Sequence, residues 1–164
     1  MIHKFIRERR HRLPREDYRG QIWGSFTACV HNQSQIFTTD KIVAAFVEIL
    51  DWACTRNDCV ALLYCFMPDH LHVIFQGQSE HADLYKTMVD FKQKSGFFLR
   101  ANRSHSRWQK GFYDHLLRSE KQLARALRYV AENPVRLGLV AHWQDYPFTS
   151  SIGVSMSHVC ETML

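Results

Sequence analysis

Glycine and proline are scarce in this chain: its 164 residues include 7 of the one and 4 of the other. That excludes a linker, a collagen-like rod or a low-complexity tail, whose backbones depend on those residues. Long apolar runs are missing too. The longest, Cys59 to Met67, is less than half of the ~20 residues a membrane-crossing helix needs. The first twenty residues carry charge throughout and hold no apolar stretch, so they do not read as a secretory leader. A cytoplasmic protein with no membrane partner is expected. CxxC pairs are also absent, because Cys29, Cys54, Cys59, Cys65 and Cys160 stand apart. An odd count in such a chain predicts reduced, mostly buried thiols and argues against structural zinc.

What the chain does have is apolar and aromatic weight, 46% hydrophobic and 13% aromatic residues, enough to fold one domain around a packed core. Its net charge of +5 is unevenly spread. Residues 1–20 carry seven Lys and Arg against three acids, and residues 86–136 carry twelve against four. Residues 21–85 reverse the balance with two against seven, and residues 137–164 hold two acids and no Lys or Arg. Two segregated basic blocks fit an anionic polymer as partner, although solvated helix faces would leave the same trace.

Residues 1–20 read as a polar, mobile arm, residues 21–151 as the domain and residues 152–164 as a tail. A first strand is predicted from Ile22 to Val30, where β-formers predominate. Thr38, Thr39 and Asp40 can cap a helix whose apolar residues, from Ile42 to Ala53, recur at helical spacing. Met67-Pro68-Asp69 separates two apolar runs and predicts a β-hairpin. Leu84, Met88, Phe91, Ser95 and Phe98 mark a second helix, and Phe112 to Leu117 a fourth strand. Ser119 with Gln122 forms a capping box for a third helix, expected to stop near Asn133 because the residue before a proline disfavours the α conformation. The order β-α-β-β-α-β-α predicts an α+β fold, a ferredoxin-like antiparallel sheet with helices on one face and Tyr129 on the last helix.

Two features could carry chemistry. His70 and His72 alternate with Leu71 on a strand, so both imidazoles leave one face and can converge on one cation, while Leu71, Val73 and Phe75 fill the other. Two nitrogens alone need further ligands, and a short His-x-His pattern also fits ordinary surface histidines. Tyr129 points about 130° away from the apolar stripe of its helix, with Gln122, Arg125 and Asn133 near it on the wheel. A phenol, an amide and a guanidinium on one face suit phosphate chemistry, although tyrosines also commonly flank half-buried helices.

Together, Met67-Pro68-Asp69-His70-Leu71-His72-Val73-Ile74-Phe75, Gly111-Phe112-Tyr113-Asp114-His115-Leu116-Leu117-Arg118 and Arg128-Tyr129-Val130-Ala131-Glu132-Asn133-Pro134-Val135 resemble the single-tyrosine transposases of the HUH endonuclease superfamily. Among these the chain looks most like the REP-associated tyrosine transposases, with similarity continuing through Gly138-Leu139-Val140 and from Asp145 to Ser151. The resemblance implies a metal-dependent endonuclease and strand transferase acting on single-stranded, hairpin-bearing DNA. His70 and His72 would hold Mg²⁺ or Mn²⁺, Asn133 would be a third ligand, and Tyr129 would form a 5′-phosphotyrosine. His115 also matches a recurrent position, to which no role is assigned. Related transposases are often dimers, yet no self-complementary surface is legible, so monomer and homodimer both stay open.

Counterion release from a basic arm favours DNA contacts by Arg7, Arg9, Arg10, Arg12 and Arg15, with Arg125 as a further candidate. Trp23, Trp52, Trp108 and Trp143 are too scattered for a stacking platform and are expected in the core. The acidic block around the histidines would favour a cation there. The competing readings are a relaxase- or replication-initiator-like nickase, and a non-catalytic nucleic-acid-binding domain.

Overall fold

A computed structural model describes residues 12–102 and 105–164. The chain runs β1 (Trp23–Cys29), α1 (Asp40–Arg56), β2 (Cys59–Met67), β3 (His70–Gly77), α2 (Leu84–Asn102), β4 (Tyr113–Leu117), α3 (Glu120–Arg136), β5 (Thr149–Ile152) and α4 (Met156–Thr162). The strands form one antiparallel sheet in the order β4-β1-β3-β2-β5. The expected α+β class and the ferredoxin-like strand order are present, with β5 added beside β2. β5 and α4 lie beyond the last predicted element. A four-residue strand of uniformly half-buried residues carries no alternation from which to read it.

Helices cover both faces of the sheet. Leu71, Val73 and Phe75 of β3 and Phe26 and Ala28 of β1 pack with Phe46 and Leu50 of α1 and Met88 and Phe91 of α2. On the other face, Ile74 of β3 and Leu63, Cys65 and Met67 of β2 pack with Leu123, Leu127, Val130 and Ala131 of α3. The placement of helices on one face therefore holds for α1 and α2 and is corrected for α3. β2 is apolar and buried along its whole length, on both sides, and a strand buried on both sides must be covered on both. The side taken by α3 is the one from which His70 and His72 emerge.

The first and last of the described residues are tied down more than their polarity suggests. Tyr18, in the 3₁₀ turn Arg15–Tyr18, is fully buried and its hydroxyl donates to Asp114. Arg12 reaches the same carboxylate at 3.3 Å and donates to the Tyr85 hydroxyl and the Phe112 carbonyl, both at 2.8 Å. The expected mobile arm is thus packed from Arg12 onward, anchored by Tyr18. Arg7, Arg9 and Arg10 lie outside the described residues. At the other end, Val159 and Met163 bury against α3, and Arg128 donates to the Met163 carbonyl. The five cysteines are free, three of them buried. No described helix is long and apolar enough to cross a membrane.

Candidate active site

The site is built on the β2–β3 turn. Pro68 and Asp69 join the strands, and their carbonyls are held from outside the hairpin: Ile36 and Phe37 donate to Pro68 at 2.9 and 3.1 Å, and Val30 to Asp69 at 2.8 Å. Ladder register then sets Cys29 opposite His70, Thr27 opposite His72 and Tyr113 opposite Thr27. His70 is buried and His72 half-buried, their rings crossing at 89° with centroids 4.7 Å apart.

Each imidazole is gripped at Nδ1, His70 by Asp69 at 2.6 Å and His72 by the Thr27 hydroxyl at 2.8 Å. Their Nε2 atoms meet at 3.0 Å. An ionised Asp69 only accepts, so Nδ1 of His70 carries the proton and Nε2 offers its lone pair. If Nδ1 of His72 donates to Thr27 in the same way, two lone pairs face each other, and a cation between them relieves the repulsion.

The chemistry of this donor set fits a divalent ion. Two ligands about 2.1 Å from one octahedral cation, at right angles to each other, stand about 3.0 Å apart. A carboxylate or hydroxyl behind each ligating imidazole is the usual support for such a ligand. Among the described residues, no three His, Cys, Asp or Glu side chains are grouped to hold a metal, so other oxygens would have to complete the shell.

Tyr129 is delivered by α3. The predicted N-cap forms, with Ser119 Oγ accepting from the Gln122 backbone at 3.2 Å, while Gln122 Oε1 reaches past Ser119 and accepts from the backbone of Arg118 at 2.7 Å. With Leu127 and Val130 buried on the sheet, Tyr129 is turned outward, 52% exposed, its ring 6.1 Å from that of His72. Asn133 follows one turn later and donates its amide to the Tyr129 carbonyl at 2.8 Å, leaving its side-chain oxygen as acceptor.

The helix does not stop at Asn133. Pro134 sits buried inside its last turn, and α3 ends at Arg136. Leu139 donates to the Pro134 carbonyl and Gly138 to that of Val135, both at 2.9 Å, with Gly138 at φ +68°. That is a Schellman stop, in which glycine takes the left-handed position. Burial of Pro134 outweighs the local preference that predicted an earlier end. The extra turn brings Arg136 over the Tyr129 ring, Cζ 4.4 Å from its centroid.

His70, His72, Tyr129 and Asn133 all line one cleft of about 850 Å³. Its wall also includes Thr27, Asp69, Gln109, Tyr113 and Arg136, none of which the sequence reading placed in the site. Register could have flagged Thr27 and Tyr113 once the strands were paired, whereas Arg136 was hidden behind Pro134. Arg125 and His115 are exposed and do not line the cleft. Arg12 lines a smaller neighbouring cavity of about 200 Å³ that shares Cys29, Gln109 and Tyr113 with the cleft, and Arg15 stacks on Tyr85 at 3.7 Å. Trp108 joins the core, Trp23 and Trp143 are partly buried, and Trp52 is 37% exposed.

Asp69 is the sole carboxylate lining the cleft among the described residues. Asp40, Glu48 and Asp51 ride on α1, whose packing face meets the opposite side of the sheet. The negative field expected from the acidic block is thus concentrated in one side chain. Burial pushes the Cys29 thiol up, and the Asp69 charge adds to this, so Cys29 is no thiolate nucleophile at neutral pH. Lys92 is lowered to about 8, mainly by burial, with Arg12 adding to the effect. It donates to the carbonyls of Gln109 and Gly111 and so pins the rim of the cleft from beneath.

A family model described as "Transposase IS200 like" matches residues 20–133. A candidate REP-associated tyrosine transposase of Haemophilus influenzae is 28% identical over 137 residues, covering 76% of this chain and 77% of that protein. The REP-associated tyrosine transposase of Escherichia coli is 27% identical over 84 residues, 51% of this chain and 49% of its own length. In fold, the chain is similar to a REP-associated tyrosine transposase solved bound to a REP hairpin, with a TM-score of 0.72 at 22% identity over 87% of this chain and 82% of the other. A transposase candidate of Deinococcus radiodurans gives a TM-score of 0.51 at 15% identity, covering 76% and 95%.

Proposed function

This chain belongs to the IS200-like transposase family, and from that premise we propose that it nicks and rejoins single-stranded, hairpin-bearing DNA through a covalent bond to Tyr129. The observation that carries the reading is the outward-facing phenol of Tyr129 in the same cleft as the His70–His72 pair, with ring centroids of Tyr129 and His72 6.1 Å apart. Hairpin DNA is taken from the relatives: those in sequence are REP-associated transposases, and one fold neighbour is bound to a REP hairpin.

The reaction is a transesterification. Tyr129 Oη attacks the scissile phosphorus, the Oη–P bond forms and the P–O3′ bond breaks. The phenolic proton is lost and the departing 3′ oxygen gains one, leaving a 5′-phosphotyrosine and a free 3′-OH. One phosphodiester replaces another, so a second 3′-OH can reverse the step without ATP. His70, His72 and Asn133 are the residues that would hold a divalent cation, which when bound supplies charge stabilisation at a non-bridging phosphate oxygen. Asp69 and Thr27 fix the imidazoles, and α3 presents the phenol to the DNA strand.

Incubation with hairpin-bearing single-stranded oligonucleotides and Mn²⁺ should give a protein–DNA adduct that survives denaturant. Tyr129→Phe should abolish it while leaving affinity nearly unchanged. An adduct persisting in that variant would remove Tyr129 as nucleophile. No adduct from the wild-type chain, across varied hairpins, would leave a binding module instead.

A further inference from the structure

A phosphodiester entering the cleft meets little fixed positive charge. Of the fourteen residues that line it, Arg136 alone is a Lys or Arg. Among the described residues its guanidinium pairs with no carboxylate, and Glu132, one helical turn earlier, lies outside ion-pair distance. Its charge is therefore available. Its position is set at both ends: the Schellman stop at Gly138 fixes the last turn of α3, and Cζ rests 4.4 Å over the Tyr129 ring. A guanidinium held over a ring still presents N–H groups at its edge, and their fork matches two oxygens of a phosphate.

We propose that Arg136 is a catalytic residue of the strand-cleavage step, holding the Tyr129 ring through its face and donating from its edge to the non-bridging oxygens of the scissile phosphodiester as Oη attacks. This rests on Tyr129 being the nucleophile. Negative charge gathers on those oxygens in the transition state, so the donation is stronger there than to the bound substrate. Bond making and breaking are those of the transesterification; Arg136 stays protonated throughout and exchanges no proton. The nearby imidazoles do not duplicate this role, since their Nε2 atoms face each other at 3.0 Å.

The test uses the full chain, a hairpin-bearing single-stranded oligonucleotide and Mn²⁺, with adduct formation followed in single turnover at saturating protein. Affinity is measured separately by fluorescence anisotropy without metal. Arg136→Ala should slow adduct formation about 10²-fold, the usual cost of losing one such donor, while Kd changes much less than the rate. Arg136→Lys, which keeps the charge but not the fork, should recover part of the rate, and Arg136→Gln should recover none. A rate for Arg136→Ala within threefold of wild type would overturn the proposal and leave the Tyr129 reading intact. So would equal rates for the Lys and Gln variants in samples with wild-type circular dichroism, because charge would then not be the cause. If the wild-type chain forms no adduct at all, the Tyr129 reading fails first and takes this proposal with it.

Discussion

At the scale of single residues, the site depends on how the two imidazoles are held from behind. Asp69 grips His70 at Nδ1 and leaves Nε2 facing the cleft. Asp69→Asn removes that preference for one tautomer without changing side-chain size. The expected outcome is a roughly 10–100-fold loss in Mn²⁺ affinity or activity, read from the Mn²⁺ dependence of adduct yield. EDTA should abolish the adduct in the wild-type chain and Mn²⁺ should restore it; formation undiminished in EDTA would remove the metal from the proposal. Lys92 gives a second residue-scale expectation, in stability against pH. Its folded value of about 8 lies below the ordinary lysine value of 10.5, so between these the unfolded chain binds more protons and stability from this group rises with pH. The unfolding free energy of wild type minus that of Lys92→Met should therefore grow between about pH 8 and 10.5. Urea titrations of both proteins at several pH values measure it.

At the scale of elements, α3 carries the nucleophile, and its start was legible where its end was not. Ser119 and Gln122 are a local signal, and the Ser119 cap they predict is present, with the Gln122 side chain bonded one residue earlier, to Arg118. Ser119→Ala should lower stability by about 1 kcal/mol, measurable as a reduced urea midpoint with unchanged slope. Pro134 is also a local signal, but there the residue is buried and tertiary packing decides, so Arg136 could not be read from it. The His-x-His alternation on β3 was legible because strand geometry alone puts both rings on one face. Which helix would cover that face was not, since an amphipathic stripe names a buried side and not the partner it meets. Thr27, Asp69 and Tyr113 belong to the same class: each enters the site through pairing or a turn held by distant segments.

At the scale of the whole molecule, the two basic blocks part company. Arg12 and Arg15 are occupied with Asp114 and Tyr85, whereas the cleft receives Arg136 from the end of the second block. With ~6–10 phosphate contacts, affinity for single-stranded DNA should fall by about 10³–10⁵ between 50 and 200 mM salt; anisotropy titrations at three salt concentrations would expose a flat response. The sheet order has a kinetic corollary. β3, bearing both histidines, is the central strand, bonded to β1 on one side and β2 on the other, while α3 lies across one face with its outer side in solvent. Amides of β3 should therefore exchange with deuterium only on global unfolding, and those of α3 earlier, through partial opening. Heating would then separate nucleophile from imidazoles before the sheet melts, so cleavage should fail at a lower temperature than the far-UV signal of the fold.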